Sequence, residues 1–350
     1  MNEIRLGHRA IGAGHPPFII AEMSGNHNQS LEKALEIVEA AAAAGAHALK
    51  LQTYTADLMT LDLESEDFYI HDSGSLWKGQ SLYQLYEQAY TPWEWHEPIY
   101  KRCRELGIIP FSTPFHPKAV DFLERLDTPF YKIASFENND LPLIRHAART
   151  GKPLIISTGM ATLAELNEMV EAAREAGCKD LILLKCTSNY PASPADSHLL
   201  TIPHMKELFR CEIGLSDHTL GIGAAVASVV LGATVIEKHF TISRSEGGVD
   251  SAFSLEPAEM KLLVSETDIA RQALGTVRYG LSDKEKSSLK YRRSLYISKD
   301  VACGETLNED NVRIIRPGYG LPPKYIDQFL GKTAAKDIKA GTAARWDMLG

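Results

Sequence analysis

Short apolar runs recur along the first two-thirds of the chain, at Pro17–Met23, His47–Gln52, Ile108–Thr113, Phe130–Ala134, Leu154–Thr158, Leu181–Cys186, Glu212–Ser216 and Thr234–Phe240. Each has the length of a strand, and most are followed by a helical pattern. Examples are the Ala-, Leu- and Glu-rich stretch 31–44 behind Ser30, and 164–176, opened by Thr162 and closed before Gly177. Alternation of this kind predicts a parallel sheet, and strands that are apolar throughout predict one buried on both faces. Eight such units close naturally into a (β/α)8 barrel of roughly 250 residues. The competing open, doubly wound sheet lacks a G-x-G-x-x-G turn behind its first strand.

Polar residues interrupt these runs at their C-terminal ends: Glu22, Lys50 with Gln52, Thr113, Lys132 with Ser135, Ser157, Lys185, Ser216 with His218, and Glu237 with His239. In a barrel this is the mouth where the active site is built. Successive strand side chains point to opposite sides, so Lys50 and Gln52 share a face, as do Ser216 and His218, and Glu237 and His239. Lys238 must then turn away from His239, toward the strand–helix layer. Lys50 and Lys132, with hydroxyls at Thr113, Ser135, Ser157 and Ser216, predict a pocket for phosphate or carboxylate. The alternative is that each lysine pairs with a carboxylate such as Glu22 or Glu137. His218 and His239 close adjacent strands and predict a seat for one divalent metal, with positions left open for water and substrate. His27 reads as a structural histidine.

The chain has 350 residues and a formal net charge of -8, which argues against a nucleic-acid binder and makes any cationic cluster local. The five cysteines are scattered without a C-x-x-C pair and read as reduced, structural thiols in a cytoplasmic protein. The N-terminus has no secretory pattern. The longest apolar segment, 222–236, contains Gly223 and Gly232 and falls short of the roughly 20 residues of a membrane span. A long insertion, 54–92, is rich in aromatics, and long βα loops on barrels usually carry function. Tyr83, Tyr86 and Tyr90, at i, i+3 and i+7, predict the buried face of a helix, while Trp77, behind Gly74-Ser75-Leu76, is the lid candidate. The pattern breaks after Gly280. This predicts a barrel over 1–280, a charged linker over 281–292 and a small all-β module over 293–350. Within it, Lys299-Asp300-Val301-Ala302-Cys303-Gly304 and Lys336-Asp337-Ile338-Lys339-Ala340-Gly341 suggest internal pseudo-symmetry.

These residues match a family. Ile20-Ala21-Glu22-Met23-Ser24-Gly25-Asn26-His27-Asn28, Lys50-Leu51-Gln52-Thr53, Ser112-Thr113-Pro114-Phe115, Tyr131-Lys132-Ile133-Ala134-Ser135, Ser157-Thr158-Gly159-Met160, Gly214-Leu215-Ser216-Asp217-His218-Thr219 and Glu237-Lys238-His239-Phe240 together resemble the sialic acid synthase family. The resemblance runs in order along nearly the whole chain. It implies a (β/α)8 TIM barrel followed by a small antifreeze-like (SAF, β-clip) domain, in a domain-swapped homodimer whose small domain caps the partner's barrel. The implied activity is a metal-dependent condensation of phosphoenolpyruvate with an open-chain amino sugar. C3 of phosphoenolpyruvate attacks the aldehyde, water adds at C2, and phosphate leaves by C–O cleavage.

The same resemblance assigns roles to residues. His218 and His239 would hold the metal, Mn2+ foremost, with Mg2+ or Co2+ as alternatives. Lys50, Thr113, Lys132, Ser135, Ser157 and Ser216 would bind phosphoenolpyruvate, and Glu22 would act as acid/base or metal-water partner. Gln52, Glu137, Tyr190 and Asp250 would meet the sugar, with Arg316 reaching in from the partner subunit. Ser188 stands where neuraminate-forming members have Asn, and would be a further phosphate contact. Lys185 replaces a His, and strand parity leaves open whether Lys185 or Ser188 faces inward. Segments 54–57, 74–77, 82–87, 91–96 and 185–188 are most similar to the members that use 2,4-diacetamido-2,4,6-trideoxy-L-altrose, whose methyl groups an aromatic insertion would suit. The alternatives are a sister synthase forming legionaminic or N-acetylneuraminic acid, a metal-dependent hydrolase on the same barrel, and a non-catalytic carbohydrate binder. Against the last stand Glu22, His218 and His239.

Overall fold

The computed structural model describes residues 3–71 and 77–350, so the Gly74-Ser75-Leu76 part of the predicted lid lies outside the described residues. The chain forms two compact units, 1–275 and 276–350. In the first, a hairpin of β1 (Ile4–Leu6) and β2 (Arg9–Ile11) precedes eight parallel strands. These are β3 (Phe18–Glu22), β4 (Ala48–Thr53), β5 (Ile109–Pro114), β6 (Tyr131–Ile133), β7 (Leu154–Ser157), β8 (Leu181–Cys186), β9 (Glu212–Ser216) and β10 (Val235–His239). They close into a barrel in chain order, with β10 pairing back onto β3 so that His239 lies opposite Glu22. All eight apolar runs are strands, with only their ends adjusted. The hairpin has no counterpart in the sequence reading.

Alternate positions along each strand enter two separate cores. Ile19, Leu49, Leu51, Ile133, Ile156, Leu183, Leu215 and Ile236 pack outward against the helices. Ile20, Ala48, Phe111, Ile155, Ile182, Leu184 and Val235 fill the barrel, joined by Ile4, Leu6 and Ile11 of the hairpin. The inward row continues toward the C-terminal mouth as Glu22, Lys50 and Gln52, Thr113, Lys132, Ser157, Cys186, Ser216, and Glu237 and His239. Side chains below fill the barrel and leave the mouth to chemistry.

Helix starts follow the sequence signals. Ser30 caps α1 (Leu31–Ala43) by accepting from the Lys33 amide, and Thr162 forms a capping box with Glu165 at the start of the helix Leu163–Glu175. The insertion holds α2 (Ala56–Met59) and α3 (Leu82–Ala89). Of the predicted tyrosine face of α3, Tyr86 does lie inward, edge-on against the buried Tyr54, but Tyr83 does not. Leu85 and Ala89 are buried, whereas the Tyr83 hydroxyl points out and donates to Asp57. Tyr tolerates a wet edge that Leu does not, so the leucines decide the register of the face. Among the described residues no helix is long and apolar enough to cross a membrane.

In the second unit β11 (Ser294–Ile297) pairs antiparallel with β12 (Val312–Ile315) around a core of Leu295, Ile297, Val301, Leu307, Val312, Phe329 and Ile338. The two K-D motifs face each other as expected. Val301 and Ile338 exchange both backbone hydrogen bonds, the Cys303 amide donates to Asp337, and the Ala340 amide donates to Asp300. Gly304 and Gly341 take the positive φ that ends each motif, and their amides donate to the carbonyls of Ala334 and Ile297 respectively.

Candidate active site

A cavity of about 330 Å³ opens at the C-terminal mouth of the barrel. Its floor is a buried chain of alternating charge. Lys50 Nζ lies 2.9 Å from Glu22 Oε2 and 2.9 Å from Glu237 Oε1, and Lys132 Nζ donates to the same Glu237 oxygen at 2.8 Å. Ser216 Oγ donates to that oxygen at 3.0 Å, and Gln52 Nε2 donates to Glu22 Oε1 at 3.0 Å. The lysines therefore do pair with carboxylates, but chiefly through Glu237 rather than Glu137. Glu237 carries more of the site than the sequence reading gave it, although its parity with His239 was visible there. Burial opposes ionisation of Glu22, but His239, Lys50 and Lys132 hold its carboxyl well below the usual range. Burial likewise works against a charged Lys50, and Glu22 and Glu237 more than offset it. For Lys132 burial prevails over Glu237 and the ammonium pKa is lowered.

Around this floor stand the hydroxyls. Thr113 Oγ1 and Ser157 Oγ are buried without a hydrogen-bond partner among the described residues, as is Glu237 Oε2. Ser135 Oγ accepts from the Gly159 amide at 3.2 Å. A Cβ at Gly159 would overlap Ser188 Oγ and come within 2.7 Å of Ser135 Oγ, so the missing side chain is what lets both serines gather there. Ser188 Oγ thus lies beside Gly159 together with Ser135, which lines the cavity. Lys185 is turned the other way with Leu183, its Nζ donating to the Cys186 carbonyl and to Thr187 Oγ1, both at 3.0 Å. The group that β8 presents inward is Cys186, which corrects both Lys185 as a strand-end candidate and Cys186 as a purely structural thiol. Burial raises the Cys186 pKa, but hydrogen bonding to His218, with Ser135 and Ser188 nearby, outweighs it and holds the thiol at about 7. Cys103, Cys178 and Cys211 are buried as expected, and Cys303 is exposed.

The two imidazoles lie with ring centroids 5.3 Å apart. His218 donates from Nδ1 to the Thr187 carbonyl at 3.0 Å, which leaves the lone pair on Nε2. His239 Nε2 lies 3.3 Å from Glu22 Oε2, while its Nδ1 is buried without a hydrogen bond, 3.7 Å from Asp250. Asp250 accepts a hydrogen bond from Ser24. The Tyr190 ring lies 4.3 Å from His218, and Phe253 4.9 Å from His239. Glu137 lines the cavity with Oε2 unpartnered, and burial, reinforced by Asp140, pushes its carboxyl up to about 7. Trp77 also lines the cavity and donates to the Val249 carbonyl at 3.2 Å.

Two assignments away from the cavity hold. Lys238 is fully buried outside the barrel, pairing with Asp217 at 3.0 Å and donating to the Gly221 carbonyl at 2.8 Å. His27 hydrogen-bonds Thr91 and packs edge-on against Trp95. Arg316 belongs to the second unit, where it is exposed directly after β12.

Comparison with known proteins agrees with this geometry. The chain is 48% identical over 328 residues to the pseudaminic acid synthase of Campylobacter jejuni subsp. jejuni serotype O:2, covering 94% of this chain and 95% of that one. It is 42% identical to the pseudaminic acid synthase of Helicobacter pylori, covering 93% and 96%. Among solved structures, an N-acetylneuraminic acid synthetase from Leptospira borgpetersenii, in complex with citrate, superposes with a TM-score of 0.73 at 32% identity, over 83% of this chain and 96% of that one. Residues 37–279 match the NeuB family and residues 292–350 match the SAF domain. The chain thus belongs to the NeuB family, its barrel followed by a SAF domain.

Proposed function

We propose that the protein is a pseudaminic acid synthase, a transferase that condenses phosphoenolpyruvate with 2,4-diacetamido-2,4,6-trideoxy-L-altrose to give pseudaminic acid and phosphate. The observation that carries the phosphoenolpyruvate half is the pair of buried lysines beside the unpartnered hydroxyls of Thr113 and Ser157. Buried polar atoms without partners are costly unless a ligand completes them, and an anion with many acceptor oxygens would do so. Lys50, Lys132, Thr113, Ser135, Ser157, Ser188 and Ser216 hold its phosphate and carboxylate. Gln52, Glu137, Tyr190 and Asp250 orient the sugar so that its aldehyde faces C3 of phosphoenolpyruvate. Glu22, ionised between Lys50 and His239, takes or relays the proton of the water that adds at C2, and the C2–O bond to phosphate then breaks.

The donor set at the mouth suits a divalent metal. Among the described residues His239 Nδ1 is a buried nitrogen without a hydrogen bond and His218 offers Nε2, while no set of three or more His, Cys, Asp or Glu is gathered for an ion. The protein would supply these two ligands, with water and substrate completing the coordination of Mn2+, or of Mg2+ or Co2+. Bound there, the ion would supply Lewis-acid polarisation of the aldehyde oxygen.

The reading includes a cytoplasmic, domain-swapped homodimer. Phe136, Met160, Leu200 and Leu220, in the βα connections around the barrel mouth, and Leu163 at the start of the helix Leu163–Glu175 are exposed, and an apolar rim of this kind calls for a covering partner. Arg316 of a partner's small unit would then meet the sugar. The test is to supply purified protein with phosphoenolpyruvate and each candidate sugar, and to measure phosphate release and product mass. Turnover with the diacetamido trideoxy sugar is expected. Turnover only with N-acetylmannosamine would assign a sister synthase instead, and release of product without phosphoenolpyruvate would point to a hydrolase.

A further inference from the structure

The cavity has two chemically distinct halves, and they come from different parts of the chain. The strand ends and the other βα loops supply nearly all of its polar lining. The insertion between β4 and the next barrel helix supplies Met59, Ile70, Leu82, Leu85, Tyr86 and Ala89. Leu82, Leu85, Tyr86 and Ala89 lie at i, i+3, i+4 and i+7 on α3, so one helix face is presented to the cavity. Phe115, which packs edge-on against Tyr54, and Val249 extend this wall. Nothing in the phosphoenolpyruvate chemistry needs an apolar wall.

A sugar with a hydroxyl at every carbon would leave hydroxyls facing groups that cannot hydrogen-bond, whereas methyl groups are stabilised there. We propose that this aliphatic wall determines sugar specificity by seating the C6 methyl group of the deoxy sugar. The inference rests on the function proposed above and assigns selection to Met59 and Leu82 rather than to the outward-turned Tyr83. It also sets a ceiling, because an apolar pocket rejects an added hydroxyl by only about 10²-fold.

The test uses the full-length enzyme and two sugars that differ only at C6, the 6-deoxy diacetamido sugar and its 6-hydroxy counterpart. Wild type is expected to favour the 6-deoxy sugar by about 10²-fold in kcat/KM. Met59→Gln and Leu82→Asn, at partly exposed positions that tolerate a polar group, are expected to cut that preference about tenfold. They should do so through the sugar, with KM for phosphoenolpyruvate unchanged. If wild type prefers the 6-deoxy sugar and both variants keep the same preference, the wall is not the selector and the proposed function stands. If wild type takes only the hydroxylated sugar, both the function and the wall are overturned. A variant that loses phosphoenolpyruvate binding as well would mark the position as structural and remove it from the proposal.

Discussion

One oxygen of Glu237 receives Lys50, Lys132 and Ser216, so two ammonium groups that would otherwise repel are held side by side by the charge between them. Glu237→Gln keeps the shape and removes that charge. KM for phosphoenolpyruvate is expected to rise by about 10- to 100-fold, because the lysines lose their fixed spacing, with a smaller change in the KM for sugar. Breaking a buried ion pair should also lower stability by about 3–5 kcal/mol, measurable by urea denaturation. An unchanged KM for phosphoenolpyruvate would show that the lysines do not depend on this carboxylate. Much of this residue-level layout was legible in the sequence. Period two alone separates Lys238 from His239 and puts Glu237 on the face of His239, but it does not show that one Glu237 oxygen gathers both lysines. At β8 it had nothing to act on. Leu181 to Leu184 are apolar on both faces, so no alternation marks Cys186 rather than Lys185 as the inward group.

The barrel strands were legible because burial on both faces makes each a continuous apolar run. The opening hairpin was not, since its strands are three residues long and too short to establish a pattern. At α3 the tyrosines mark the inward face only in part, because a tyrosine sits as readily at a wet edge as in a core: Tyr86 turns inward and Tyr83 does not. Loop geometry was the least legible level. Gly159, on the loop after β7, lies where the loops after β6 and β8 bring Ser135 and Ser188 together. Gly159→Ala should push these serines apart and raise KM for phosphoenolpyruvate by about tenfold or more, as expected for a charge-assisted hydrogen bond lost. A normal melting temperature in the same variant would place the effect in the anion cradle rather than in the fold. Wild-type kinetics would instead mean that neither serine touches the substrate.

For the whole molecule, the proposed assembly predicts complementation. Arg316→Ala should bind phosphoenolpyruvate yet use sugar poorly, and Lys132→Ala should fail at phosphoenolpyruvate. Mixed after dissociation and reassociation, the two inactive proteins should regain part of the wild-type rate, because one mouth in the mixed dimer unites an intact barrel with an intact Arg316. No recovery, with mixed dimers demonstrated by mass, would end the cross-subunit assignment. The sequence offered no route to this level beyond the family resemblance, because a swapped arrangement leaves no period or motif in one chain. The reciprocal bonds of the small unit do constrain it. Asp300 closes the turn of the second K-D motif and Asp337 that of the first, so each half supplies the latch for the other. A chain clasped in this way cannot shed one half and keep the other. It must persist or be lost as a single piece, and drift at either aspartate is felt in the half that did not change.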